Sequence, residues 1–205
     1  MFMENITSQD FNAAKEIIDL GLNKAAESLS FFMKETITLK DVNFNISKEQ
    51  FISIKNETSE NNLYVLSTEI KGELKGICYL VFNADEKDEI CKVALPPDIF
   101  NNPQKLKNME EPLLLEIDNI ISASVITQIS NKLKQKVYGD VPKMKLMKSE
   151  DLKNEIIMQM SPDKFIIGFQ TEFISSKSNF NPQFFWVLDS KFFECVKKLA
   201  LEQAN

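Results

Sequence analysis

The residues with the clearest chemical potential are a carboxylate and a carboxamide one helical turn apart, Glu116 and Asn119, in Glu116-Ile117-Asp118-Asn119. Positions i and i+3 of a helix share a face. The carboxylate can form an ion pair with a lysine on a partner. The amide carries a donor and an acceptor on one rigid group and can orient a water. A water held in line with a phosphoryl group is most of what phosphoryl hydrolysis requires. The metal and the remaining charge neutralisation can come from the partner. A near copy, Glu16-Ile17-Ile18-Asp19, stands 100 residues earlier. A lone polar pair of this kind reads as a solvated helix face. Its recurrence at the head of two similarly ordered halves favours a functional reading.

Other chemistries have little to stand on. The chain has no His, which removes the commonest general base and metal ligand. Five Gly form no phosphate-cradling loop, and no Asp-x-Asp or Glu-x-x-His spacing suggests a metal cage. Cys78, Cys91 and Cys195 are odd in number and widely spaced, the pattern of reduced, buried thiols in a cytoplasmic protein. A net charge of −6 and a pI near 4.9 argue against nucleic acid or an anionic membrane as general partners. The polar, acidic first residues do not read as a signal peptide, and no apolar run approaches the roughly 20 residues that span a bilayer. At 205 residues and 43% hydrophobic, with 16 Phe, the chain has ample material for one core.

Both pairs need long helices to position them. Over residues 111–135, Leu113, Leu114, Ile117, Ile120, Ile121, Val125, Ile129 and Leu133 recur at helical spacing. The opposite stripe, Pro112, Glu116, Asn119, Ala123, Thr127 and Ser130, is small or polar, and Pro112 suits a first helical turn. The earlier helix spans about residues 8–34, with the stripe Asn12, Glu16, Asp19, Asn23, Glu27 and Ser30. A strand (36–46), a short helix (47–55), two strands (63–70 and 74–82) joined by a Lys71-Gly72-Glu73 turn, and a helix (84–94) follow it. Pro96-Pro97 ends that helix, and residues 98–108 read as a linker. The order then repeats: strand 136–146, helix 149–160, strands 165–174 and 184–188, and a helix from 190 to 203.

The expected fold class is therefore α+β: one domain over residues 1–205, built of a repeat at about 8–95 and another at about 110–203. Aligned pairs at the 100-residue offset (Glu16/Glu116, Ser30/Ser130, Ile37/Val137, Ile46/Leu146) support duplication, as do Val81/Val187 and Leu95/Leu201 at 106. Pairing the strands of both halves makes a shared antiparallel sheet. The two long helices lie together on it, related by a pseudo-twofold axis, with their Glu-bearing stripes outward.

This layout, with Glu-x-x-Asn on the helix heading a half, resembles the CheC/CheX/FliY family of chemotaxis phosphatases over about residues 13–201. The first helix of that family typically reads E-I-G-N-I-G-A-G-N-A-A. Here the stretch is Glu16-Ile17-Ile18-Asp19-Leu20-Gly21-Leu22-Asn23-Lys24-Ala25-Ala26, with Asp19 in place of Asn, and the second, Glu116-Ile117-Asp118-Asn119-Ile120, keeps both key positions. Asn12 and Pro112 also depart from the Asp or Ser common four residues before the Glu. The resemblance implies removal of phosphate from the aspartyl phosphate of the response regulator CheY. Glu116 pairs with a regulator Lys and Asn119 orients the water, while Mg sits in the regulator and no cofactor is bound by this chain. Glu16/Asp19 is then a degenerate second site, weak or silent. Two halves without a flagellar switch domain look most like CheC, whose relatives also bind the receptor deamidase CheD. The rival is a non-catalytic, regulator-binding or flagellar-switch-like domain of the same fold, like the middle domain of FliM, which lacks the motif.

Overall fold

The computed structural model describes residues 6–47, 54, 62–177 and 179–203. Its elements are α1 (Ser8–Met33), β1 (Thr38–Ser47), β2 (Leu63–Gly72), β3 (Gly76–Phe82), α2 (Ala84–Ala94), α3 (Pro97–Phe100) and α4 (Pro103–Leu133). They continue with β4 (Val137–Gly139), β5 (Lys143–Met147), α5 (Ser149–Met158), β6 (Lys164–Ile174), β7 (Asn179–Phe180), β8 (Gln183–Asp189) and α6 (Lys191–Gln203). The short helix expected at 47–55 lies almost wholly outside the described residues.

Local chemistry accounts for most boundaries. Thr7 and Asp10 form a reciprocal capping box that starts α1, and Asn83 and Glu86 do the same for α2. Both long helices end on a lysine in the left-handed conformation, Lys34 and Lys134, each at φ 53°. Each of these lysines sends its N–H back to a serine carbonyl, Ser30 or Ser130. Gly72, at φ 109°, supplies the turn between β2 and β3, where a Cβ would lie 2.1 Å from the Lys136 carbonyl oxygen.

Two expectations are corrected. The linker at 98–108 is helical: α3 fills its start, and α4 begins at Pro103. Asn102 caps α4 by accepting hydrogen bonds from the Gln104 and Lys105 N–H groups. Pro112 therefore lies inside the helix, where its ring removes the bond to the Asn108 carbonyl. Packing outweighs that loss. Leu106 sits against the core, and Lys87 of α2 binds Glu110 at 2.7 Å. Burial alone would pull the Lys87 ammonium down, but hydrogen bonds to Asp88 and Glu110 outweigh it and hold the group above the ordinary lysine range. The strand expected over 136–146 is two strands, because Asp140, Val141 and Pro142 bulge out of register between β4 and β5.

All strand pairings are antiparallel, in the order β1-β6-β8-β3-β2-β4, with β5 also on β2 and β7 on β6. The first strand of each half thus pairs with the second strand of the other half, and the third strands, β3 and β8, meet in the middle. β1 carries a register shift between Lys40 and Asn43, opposite Thr171, as the β4–β5 strand does opposite Thr68.

Helices α1, α2, α4 and α6 cover one face of the sheet over the larger core, which includes Trp186, Phe165, Phe173, Phe184, Phe192 and Phe193. Burying each such ring contributes about 1.5–3 kcal/mol. A smaller core on the other face gathers Leu152 and Ile156 of α5 with Ile54, Tyr79 and Val187. The three cysteines are free and buried. Leu201 is exposed whereas Leu95 is buried, so that aligned pair does not share an environment. By length and composition α4 is apolar enough to cross a membrane, and its apolar side is packed into the larger core.

Candidate functional site

The two long helices cross against each other on the sheet. Gly21 makes this possible: a Cβ there would stand 2.6 Å from the Val125 Cα. Glu16 of α1 meets Lys132 of α4 at 3.8 Å. Together the two contacts make the helices antiparallel, with the start of α1 against the end of α4.

From residue 13 onward the buried positions of the two helices correspond. Ala13, Ala14, Ile17, Ile18, Gly21, Leu22, Ala25, Ala26, Leu29 and Met33 are buried on α1, and each position 100 residues on is buried on α4. What remains outward is the stripe read from the sequence. Pro112, Glu116, Asn119, Ala123 and Thr127 are exposed on α4, and Asn12, Glu16, Asn23 and Glu27 on α1, with Asp19 half-buried.

The two Glu-bearing turns differ in their surroundings. Glu116 and Asn119 make no side-chain hydrogen bond or ion pair among the described residues, so both face solvent with their bonding capacity open. Glu16 is engaged by Lys132, and Asp19 accepts from Lys15 at 2.6 Å. The second Asp19 oxygen, Oδ1, is buried without a hydrogen-bond partner, so it is not offered to solvent. The structure therefore brings Glu116 with Asn119, and Glu16 with Asp19, each onto one turn, and sets the two turns at opposite ends of the shared helix face.

Beneath the first of these turns lies a residue that the sequence reading did not single out. Asp118 is only 2% exposed, and its carboxylate accepts a hydrogen bond from the Thr68 hydroxyl of β2 at 2.7 Å. Burial pushes its acid up to about 7, with the Thr68 bond pulling the other way. The Cys78 thiol donates to the Thr68 carbonyl at 3.4 Å and is itself pushed well up, by burial first and then by Asp118. Spacing held the signal: 114, 118, 121 and 125 fall on one apolar stripe. At the corresponding place in the other half stands Ile18, and the equivalent threonine, Thr171, donates instead to the Lys40 carbonyl at 3.2 Å.

Among the described residues, no group of three or more His, Cys, Asp or Glu gathers as a metal site. What the Glu116/Asn119 turn offers is one free anionic acceptor and one free amide on a rigid helix, set for a group delivered from outside.

No protein-family model matches the chain, and no curated protein matches it. Solved structures do. FliY from Thermotoga maritima superposes with a TM-score of 0.70 at 18% identity, covering 97% of this chain and 98% of that one. CheX from Desulfovibrio desulfuricans gives 0.51 at 13% identity, over 82% of this chain and 97% of its own. The FliM middle domain from H. pylori gives 0.55 at 12% identity, over 94% and 99%. At these identities the likeness establishes the fold: this chain has the α+β architecture of the FliY, CheX and FliM-middle-domain structures.

Proposed function

We propose that this chain belongs to the CheC/CheX/FliY family and accelerates hydrolysis of the aspartyl phosphate of a CheY-type response regulator. The observation that carries the reading is the outward, unpartnered Glu116/Asn119 pair on a fold shared with FliY. Glu116 docks a regulator lysine, and Asn119 holds the attacking water in line through its amide. Mg belongs to the regulator's acidic pocket, and this chain supplies no cofactor. Positioning of this kind accounts for catalysis because hydrolysis of an acyl phosphate needs little covalent help from the protein.

The matching burial, the paired left-handed lysine caps and the two bulged strands support a single domain built by internal duplication. In that reading the Glu16/Asp19 turn is the degenerate copy. The receptor deamidase CheD is a second candidate partner, and the cytoplasm is the expected location. The test is phosphate release from phosphorylated regulators, measured with and without this protein; an unchanged decay rate across the candidate regulators sinks the enzyme. The likeness to the FliM middle domain favours a second reading, a domain that binds the regulator without turnover. Binding without accelerated decay would establish that alternative.

A further inference from the structure

The last turn of α1 carries two adjacent aromatic side chains in water. Phe31 is 86% exposed and Phe32 40%. Neither belongs to either core, so the fold does not account for them. Isolated surface apolar groups need no explanation, but a contiguous aromatic pair beside a candidate site does.

Helix register places this pair. Glu16 meets Lys132 and Gly21 meets Val125, so the end of α1 runs toward the early part of α4, where Leu115 and Glu116 lie. Phe31 follows Glu27 by four residues and so continues the exposed outer stripe of α1. The Glu116/Asn119 turn therefore has an apolar shoulder formed by Phe31, Phe32 and half-buried Leu115. At the other end the corresponding positions are Asn131, Lys132 and Lys15, and both lysines are held in ion pairs with Glu16 and Asp19.

Charge decides what fits. Glu116 has no cation among the described residues, so its complement is a lysine set beside an apolar patch. A second copy of this chain would bring another net charge of −6, and an anionic membrane or a nucleic acid would be repelled as well. We infer that Phe31 and Phe32 are the apolar anchors by which the protein carrying the aspartyl phosphate docks on the Glu116 end of the helix pair. This inference rests on the phosphatase reading of Glu116 and Asn119. It makes docking one-sided: the anchors and the open Glu/Asn pair occur at the same end.

The experiment compares wild type with a Phe31→Ser/Phe32→Ser double variant on a phosphorylated regulator that wild type hydrolyses. Removing two aromatic anchors should raise KM roughly ten-fold or more while kcat stays within about two-fold. The same two changes on an Asn119→Ala background should weaken direct binding of the phosphorylated regulator by a similar factor. Far-ultraviolet circular dichroism should be unchanged, since both rings lie outside the cores. An unchanged KM with an active wild type overturns the docking inference and leaves the phosphatase reading standing. Absence of wild-type turnover on every regulator overturns that reading, and the inference with it. A wild-type dimer that the double variant dissociates would assign the rings to self-association and also overturn the inference.

Discussion

The two ends of the α1/α4 face are built on one plan and finished differently. Each presents a glutamate on an exposed turn, flanked by the same buried positions and followed by a lysine in the left-handed conformation. At the α4 end neither the glutamate nor its amide partner is paired among the described residues. At the α1 end Lys132 engages Glu16, Lys15 engages Asp19, and the remaining Asp19 oxygen turns inward. The difference teaches that two turns with the same spacing of polar side chains can offer them to solvent unequally. Intramolecular lysines stand where the open end has Leu115 and Phe32: Lys132 lies 3.8 Å from Glu16, which stays exposed, and Lys15 holds the half-buried Asp19 at 2.6 Å. Such exposed pairs add little stability, so their effect is on availability.

The comparison breaks most directly in paired double variants. Glu116→Ala with Asn119→Ala should lower phosphate release on the order of a thousand-fold, since a single lost oriented donor costs about a hundred-fold or more. Glu16→Ala with Asp19→Ala should leave the rate nearly whole. Equal losses would show both ends working. Asn119→Ala should change stability by less than about 1 kcal/mol, as an exposed position allows; chemical denaturation checks that the loss is catalytic.

A second difference lies underneath, in Asp118 against Ile18. The Asp118 acid is at about 7 in the folded chain, above an ordinary value of 3.8, so the folded state holds the proton more tightly than the unfolded. Its contribution is fully present below pH 4 and is lost as pH rises toward 7. At 1.36 kcal/mol per unit the loss is at most about 4 kcal/mol. Asp118→Asn keeps an acceptor for Thr68 and removes the titration. Unfolding free energies at pH 4 and pH 8 should therefore fall less for the variant than for wild type; parallel profiles would place the Asp118 acid in the normal range.

Glu116→Lys should weaken regulator binding roughly ten-fold by meeting a lysine with a lysine, beyond the loss of one pair. Titration of the regulator at two salt concentrations reads this, and identical affinities at low salt would rule out the ion pair. The smallest effect is expected from Asp19→Asn alone: a gain in turnover of a few-fold at most, because Lys132 still occupies Glu16. Adding Lys15→Leu and Lys132→Phe should raise it further. If Asp19→Asn alone restores a fully active second site, the sealing lysines have no role.

Much of this was legible in the chain because the signals are local. The ten buried positions that the two long helices share follow a 3.6-residue period, Asn83 caps α2 where residue 84 was expected to begin a helix, and the Lys71-Gly72-Glu73 turn separates two β-rich runs. The outward direction of Glu116 and Asn119 came with that periodicity, since an apolar face must be buried and leaves its opposite exposed. Three features depended on contacts between distant residues. Pro112 marks a helix start by its own chemistry, and Lys87 and the packed Leu106, with the Asn102 cap, carry α4 two turns upstream of it. Asp118 belongs to a polar type and lies on an apolar stripe; Thr68, 50 residues away, gives its carboxylate a partner in the core. The engagement of Glu16 arises where α1 and α4 pack, because only there does Lys132 reach it, whereas Lys15 and Asp19 pair within one turn of α1. Period and capping act within a few residues of the chain, whereas burial of a charge and the pairing of an ion depend on which surfaces the fold brings together.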